Sequence, residues 1–510
     1  MKKLLIIILI LKCSFLAKSQ DISVSIHASQ KFNLKDDRSF IGSYMGNYIF
    51  FYINKEGKYD ELRLEYYDSK LTLLNSIKLD LFTTINSSGK TKYVFDKVFL
   101  LKDKIRFLVS EFDKSKDETY LHCFTVNPLD ATLIDFKTLD TVSIKGLNIM
   151  LNRYSLYEIC FAKDSSKIGL IRYKDYAENN FGNISTSGKQ IQFDKKDSFH
   201  TKVYDADFSL IDKKSLLFPF KTDLYHKKNT IISTEGNIYI YSSFTSSIPT
   251  AGKKYFTYIG CKEPGYKTYE FDKKGRFTDI QLKENNKNEV MAIALYGSTS
   301  LSKIEGFFIA KITKDRLINE QTILFEKTFY ENLAKYSVKK IKPYISYVEV
   351  KDIYFSDKND AIFCIEEKYT DKISGKALFF SYDQYLKLNW SASIDKTQFE
   401  TSIVNYYGYS SYVSNFNNNG LYVLFNDNPE NANKGIKYKV KATKNYDKSV
   451  IQLVYINNQG ELRAKALEYN PKLGSVLNTR QFGYNGNYNI VFTAKNHKSN
   501  TLKFYNVILK

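Results

Sequence analysis

The residues that most often announce chemistry are scarce in this chain. Its 510 residues contain 5 His, 5 Cys, 4 Met and 1 Trp. The histidines (His27, His122, His200, His226 and His497) are well separated and include no H-x-x-x-H pair, so the sequence offers no zinc-type ligand set. No two cysteines form C-x-x-C, which removes the common redox and zinc-ribbon motifs. G-x-S-x-G is absent, and with it the nucleophile elbow. The segment SSGKT (87–91) ends like a phosphate loop, but the position that must be glycine for the backbone to wrap phosphates is Thr84. A single Trp excludes the repeated S-x-D-x-G-x-x-W boxes of sialidase-like chains, and WD40 and kelch signatures are missing too. These absences imply no metal and no cofactor, and they leave no assembled catalytic motif.

Long apolar runs are missing as well, with one exception at the start. MKKLLIIILILKCSFLAKS (1–19) has two early lysines, an apolar run from Leu4 to Leu11 and a small-residue exit at Ala17 and Ser19. That is the pattern of a secretory signal, and it puts the mature chain at 20–510. The run is too short for a permanent membrane helix. Cys13 invites a lipoprotein reading, but the bulky, charged Lys12 stands where lipoprotein processing wants a small residue. The expected location is therefore the periplasm or the outer surface, with no transmembrane segment.

What is abundant is aromatic and basic. Tyr numbers 41 and Phe 37, while Pro numbers only 7 and Gly 23, a mixture suited to pleated, half-buried strands. The formal charge is +20, and +16 once the four lysines of 1–19 are removed. Nucleic-acid binding would need that charge gathered on one face. Here Lys is scattered among Asp and Glu at turn after turn, which reads as a solvated basic surface that discourages edge pairing. Weak attraction to an anionic surface or acidic glycan follows from it; nucleic acid does not. Cys123, Cys160 and Cys364 sit in apolar strand contexts, as buried free thiols do, and the exported setting permits a disulfide without indicating connectivity.

The chain repeats itself. YDSKLTL (67–73) returns as YDADFSL (204–210) and YDQYLKL (382–388). In each, an aromatic strand reaches Tyr-Asp, turns and leaves as an alternating apolar strand; Asp suits the turn because its carboxylate accepts backbone N–H groups two residues on. A second set of turns ends in Gly: INKEG (53–57), FDKKG (271–275) and INNQG (456–460). A third element follows a Gly and is apolar throughout, as in GNYIFFY (46–52), GNIYIYS (236–242) and GLYVLFN (420–426), which fits strands buried on both faces.

The intervals between the Tyr-Asp copies, 137 and 178 residues, fit units of roughly 60–70 residues, somewhat longer than familiar four-stranded blades. Reading hairpins along the chain gives blades near 39–79, 95–140, 150–218, 226–283, 288–325, 350–394 and 415–468. Two further strands remain at the C-terminus, and DISVSIHA (21–28) is placed to pair with them and close a ring. The expectation is an all-β fold, a β-propeller of seven or eight blades closed by its N- and C-terminal strands. Paired β-sandwiches would not repeat one turn chemistry from end to end.

One segment breaks the pattern. Phe329, Tyr330, Leu333, Ala334, Val338 and Ile341 fall at helical spacing before Pro343, which predicts a short helical insertion near 327–342 with its apolar stripe on the neighbouring sheet. Asp205, Asp207 and Asp212 have the wrong spacing for a calcium loop, and Asp205 is accounted for as a turn brace. NDNPEN (426–431) leaves a buried strand and reads as a turn-rich loop where a polar ligand or cation could sit.

Three strings in the last third, IFCIEEKYT (362–370), LNWSASIDKTQ (388–398) and LYVLFNDNPEN (421–431), resemble a set found in uncharacterised exported β-propeller-like proteins of Bacteroidota. The matching residues are Glu366, Trp390, Lys396, Gln398, Asn426 and Asp427, over roughly 70 residues. The resemblance implies a propeller and export, and no assigned activity. These six residues are the candidate ligand-loop or motif positions; the bland reading is that Trp390 packs between blades while the others satisfy backbone groups. The expected function is an exported, non-catalytic binding or scaffold propeller with a protein or glycan partner. The alternative is a carbohydrate-active hydrolase or lyase with carboxylates at the channel mouth.

Overall fold

The computed structural model describes residues 24–33, 37–54, 61–81, 91–113, 115–116, 118–143, 157–173, 198–217, 225–244, 253–278, 280–300, 302–337, 344–370, 373–399, 410–417, 419–431, 440–444, 446–468, 476–485, 489–496 and 501–509. The signal segment 1–19, the phosphate-loop-like 87–90 and His497 lie outside them. Eight antiparallel sheets follow one another along the chain, each a meander of four strands or slightly more. Seven are built from consecutive strands: 37–79, 91–143, 157–217, 225–270, 276–324, 348–394 and 412–468, here blades 1 to 7. The eighth joins Val476–Asn485, Asn489–Asn496 and Thr501–Leu509 to the N-terminal Val24–Ala28. First strands touch between blades 1 and 2, 3 and 4, 4 and 5, 7 and 8, and 8 and 1, and shared buried clusters join blades 2 to 3, 5 to 6 and 6 to 7, so the sheets close a ring. This is an eight-bladed β-propeller.

The closure is a register of backbone pairs. Val24 lies opposite Leu509 and Ala28 opposite Tyr505, and the pairing is extended by Ser29, whose amide donates to the Phe504 carbonyl at 3.0 Å. Phe32 then packs with Phe50, Tyr67 and Phe504, joining the N-terminal segment, blade 1 and blade 8 in one aromatic cluster. Arg38 is held beside it with its guanidinium 4.2 Å from the Phe32 ring and 3.8 Å from that of Tyr52. Its Nε donates to Glu65 at 3.0 Å, and the Tyr67 hydroxyl donates to the same carboxylate at 2.8 Å. A buried guanidinium needs this combination of carboxylate and π-faces to offset its desolvation.

The three Tyr-Asp turns join the third and fourth strands of blades 1, 3 and 6. In each, one carboxylate oxygen accepts two backbone amides: Asp68 from Lys70 and Thr72, Asp205 from Asp207 and Ser209, Asp383 from Tyr385 and Lys387. The residue three positions after Asp is left-handed: Leu71 at φ 60°, Phe208 at 57° and Leu386 at 63°. Asn457 makes the same pair of bonds to Gln459 and Glu461, with Gly460 at φ 79°. The Tyr-Asp and INNQG turns are thus one structure, in which Asp or Asn braces the turn and Gly, Leu or Phe takes the left-handed place. FDKKG differs: it lies between the last strand of blade 4, Lys267–Glu270, and the first of blade 5, Arg276–Phe277. Blade 5's inner strand is split into Arg276–Phe277 and Gln281–Glu284, both paired to Val290–Gly297, so the blade that the sequence reading ended at 283 ends at 270. The all-apolar runs after Gly46, Gly236 and Gly420 are the second strands of blades 1, 4 and 7, covered on both sides.

The helix spans Lys327–Lys335 and lays Phe329 and Leu333 on blade 6. Ser391 and Ser393 of that blade's outer strand donate to the Phe329 and Leu333 carbonyls at 2.8 and 3.0 Å, and Phe325 stacks on Phe329 at 4.0 Å. It stops short of the expected 342. Ser337 has already left the helix, its hydroxyl fixed between Asp395 and Lys376, and Val338 and Ile341 lie outside the described residues. Among the described residues no helix is long and apolar enough to cross a membrane. Cys123, Cys160, Cys261 and Cys364 are free thiols, the first and last fully buried.

Candidate functional site

Strands alternate in direction, so the propeller has two unlike faces. One carries the turns between first and second and between third and fourth strands; the other carries the connections from second to third strands, which vary widely in length, and those from blade to blade. Connecting loops carry function more often than the strands they join. Five of the six sequence-chosen residues meet on the second face, where blades 6, 7 and 8 adjoin.

Glu366 comes from the second strand of blade 6, Ala361–Thr370, and Lys396 and Gln398 from the connection that leaves that blade. Lys396 Nζ donates to Glu366 Oε1 and, at 2.8 Å, to Gln398 Oε1. Gln398 passes the chain on, donating through Nε2 to the Asn426 carbonyl at 2.7 Å. Asn426 closes it: its carboxamide donates to the Leu477 carbonyl and accepts from the Leu477 amide, both at 2.8 Å, pinning blade 7 to blade 8. The other Glu366 oxygen accepts from the Ser411 hydroxyl at 2.6 Å, and Lys351 approaches it at 3.9 Å. The Ser411 amide, in turn, donates to Gln398 Oε1 at 2.8 Å.

The set is sealed. Glu366 is 1 % exposed, Lys396 2 %, Gln398 0 % and Asn426 0 %. Burial pushes the Lys396 ammonium below its ordinary pKa, and the Glu366 charge and hydrogen bond oppose that shift without cancelling it. Burial also raises the neighbouring Tyr412 hydroxyl, with the Glu366 charge adding to the effect. A pair desolvated this far holds together only when its remaining donors and acceptors are satisfied, and here Ser411, Gln398 and Asn426 do that.

Asp427 is bonded within its own loop, from which its charge still acts on Lys396. One oxygen accepts the Asn428 amide and the Asn431 carboxamide at 2.8 Å, while Asn431 also exchanges bonds with the backbone of Lys441. NDNPEN is therefore a loop folded on itself around a short 3-10 turn, Pro429–Asn431. Trp390 is apart from all of these, buried between blades 6 and 7 against Gly460. Sequence reading thus found the polar core of the junction and missed Ser411 and Lys351. Ser411 follows a connection with no regular pattern, and Lys351 looks like any exposed-strand lysine.

One further carboxylate cluster stands out in the sequence. Asp205, Asp207 and Asp212 point to separate tasks: Asp205 braces its turn, Asp207 meets Lys102 of blade 2 at 3.1 Å, and Asp212 pairs with Lys214. Among the described residues no group of three or more His, Cys, Asp or Glu is arranged to hold a metal. On the first face, Glu284 at the inner strand of blade 5 is 5 % exposed. Its Oε1 accepts from the Thr234 amide and hydroxyl, and its Oε2 is buried with no hydrogen-bond partner. Lys163 of blade 3 lies near it and reaches Asn286 of blade 5; burial lowers its pKa, and the charges of Glu284 and Asp357 counter that in part.

Comparison with known proteins yields distant structural likenesses only. No family model matches the chain, and no curated protein matches it. Among solved structures it is similar to the β-propeller domain of the Trilobed protease from Pyrococcus furiosus, at 10% identity and TM-score 0.36, covering 88% of this chain and 97% of that one. A prolyl endopeptidase matches at 7% identity and TM-score 0.40, over 90% of this chain and 53% of that one. Pyrococcus horikoshii acylaminoacyl peptidase matches at 9% and 0.36, over 92% and 58%. The chain thus spans little more than half the length of these two peptidases.

Proposed function

We propose that this is an exported, non-catalytic binding or scaffold propeller of the periplasm or cell surface, of the kind found among exported Bacteroidota proteins. The observation that carries the reading is the state of Glu366. The one carboxylate in the family-like motif that is paired with a lysine has both oxygens engaged inside the protein and no surface to offer a substrate. Its partners bind blades 6, 7 and 8 together, which is what a rigid platform requires. The signal-like 1–19 supports export. The test is a panel of polysaccharides incubated with the purified mature chain, with new reducing ends and unsaturated products measured. No turnover is expected; product formation would overturn the reading.

A second reading, a hydrolase or lyase with carboxylates at the channel mouth, draws on Glu284, whose unpartnered buried oxygen lies on the inner strand close to Lys163. On that reading Glu284→Gln abolishes turnover on the same panel while the fold, followed by circular dichroism, is kept.

A further inference from the structure

On the first face a cleft of about 230 Å³ opens between blades 5 and 6. Its floor is apolar, made by Met291, Phe355 and Leu386. These three pack on the core but are only partly buried, so part of their surface is left to the cleft. Carboxamides stand above them: Asn319 and Gln321 from the outer strand of blade 5, Asn359 and Gln384 from two turns of blade 6.

Much of that polar rim has hydrogen-bonding capacity to spare. Asn359 Oδ1 accepts the Asn286 amide at 3.2 Å, and Gln384 Oε1 accepts Lys287 Nζ at 3.3 Å; their N–H groups are not used in these bonds. Asn319 and Gln321 are exposed. Asn319 is also aimed by the backbone. The ladder to the neighbouring strand shifts register between Ile309 and Lys311, and Asn319, at φ 52°, is the one non-glycine residue of positive φ inside a strand among the described residues. A bulge of this sort re-aims a side chain and is often kept at functional positions.

Two lysines, Lys287 and Lys311, and two carboxylates, Glu289 and Asp383, line the cleft. Lys311 meets Glu289 at 2.7 Å, and Lys287 is drawn to Gln384. Phosphate or sulfate would meet the Glu289 and Asp383 carboxylates beside those lysines. A planar carboxamide that both donates and accepts suits vicinal hydroxyls, while an aromatic and aliphatic floor suits the C–H face of a pyranose. The volume is below the ~300–1,000 Å³ of clefts that enclose drug-sized ligands, so the fit is to one sugar unit whose chain continues into solvent. We propose that this cleft binds a neutral glycan. The proposal rests on the binding-propeller reading and names its ligand class and its place.

The experiment uses the mature chain and a panel of neutral oligosaccharides (cello-, malto-, laminari-, manno- and xylo-hexaoses) in isothermal titration. The variants are Gln384→Ala, at an exposed turn, and Asn319→Gly, which retains the left-handed backbone without strain. Thermal melting serves as the folding control for both. Saturable binding of a panel member that weakens at least tenfold in both variants, with melting unchanged, is the expected result. Equal binding by wild type and variants would overturn the cleft as the site. Failure of every panel member to bind at 10 mM concentrations would overturn the ligand class, and binding of peptides instead would do the same. Turnover of a panel member would defeat the non-catalytic reading, and the variants would still report on the cleft, because they lower turnover only if the sugar sits there.

Discussion

Gly460 lies so close to Trp390 that a Cβ placed on it would stand 2.6 Å from the Trp390 Cβ. The glycine belongs to the brace turn of blade 7 and the tryptophan to the outer strand of blade 6, so this contact is the seam between two blades. Backbone and packing both demand glycine here, since φ is +79°. Gly460→Ala combines a left-handed penalty of about 1–2 kcal/mol with overpacking of about 1–3 kcal/mol. The chain has one tryptophan, so its fluorescence reports this seam directly. A lower melting temperature with a red-shifted native emission is expected; an unchanged spectrum and melt would mean that the two blades yield freely at this point.

The buried junction makes a second prediction. Lys396→Met takes the main partner from a charged, buried Glu366 and leaves it the Ser411 hydroxyl and the more distant Lys351; breaking such a pair costs up to about 3–5 kcal/mol. Adding Glu366→Gln to that variant removes the buried charge, so the double variant should be more stable than Lys396→Met alone. Urea denaturation of the wild type, both single variants and the double variant gives the coupling. Strictly additive losses would show that the two side chains do not depend on each other.

Much of the architecture was legible because it is local. Asp68, Asp205 and Asp383 announce their turns through a hydrogen bond to amides two residues on, and that chemistry is independent of what surrounds it. The blade edges at 79, 394 and 468 follow from it. The boundary between blades 4 and 5 was misplaced for the same reason: the FDKKG turn has the same composition whether it joins two strands of one sheet or two sheets. The site was half legible. Glu366, Lys396, Gln398 and Asn426 stand out as polar residues ending apolar strands, but whether they face solvent or one another depends on how blades 6, 7 and 8 adjoin. The cleft was invisible, since Asn319, Phe355 and Gln384 come from separate elements that carry no shared motif.

Acid should probe the contact between blades 2 and 3. Burial alone would raise the Asp140 pKa, but the hydrogen bond and charge of Lys202, with the charge of Arg172, outweigh it and hold the carboxyl below its usual 3.8. A group whose folded value is depressed stabilises the fold above its unfolded pKa, and that contribution fades as pH falls below 3.8 through the folded value. Asp140→Asn should therefore lower the melting temperature at neutral pH and flatten its decline as pH falls below 3.8. Parallel melting curves for wild type and variant across that fall in pH would contradict the assignment.

Ring closure is the claim on which a rigid binding platform depends, and it can be cut at one place. Deleting residues 24–28 removes the strand that pairs with Thr501–Leu509. Several ladder hydrogen bonds are lost with it, each worth about 0.5–1.5 kcal/mol net, and the exposed edge becomes a template for association. The measurement is thermal melting and size-exclusion chromatography of the mature chain against this deletion. A melting temperature lower by several degrees together with dimers or larger species is the predicted result; an unchanged melt with a monomeric profile would contradict a ring closed by its termini.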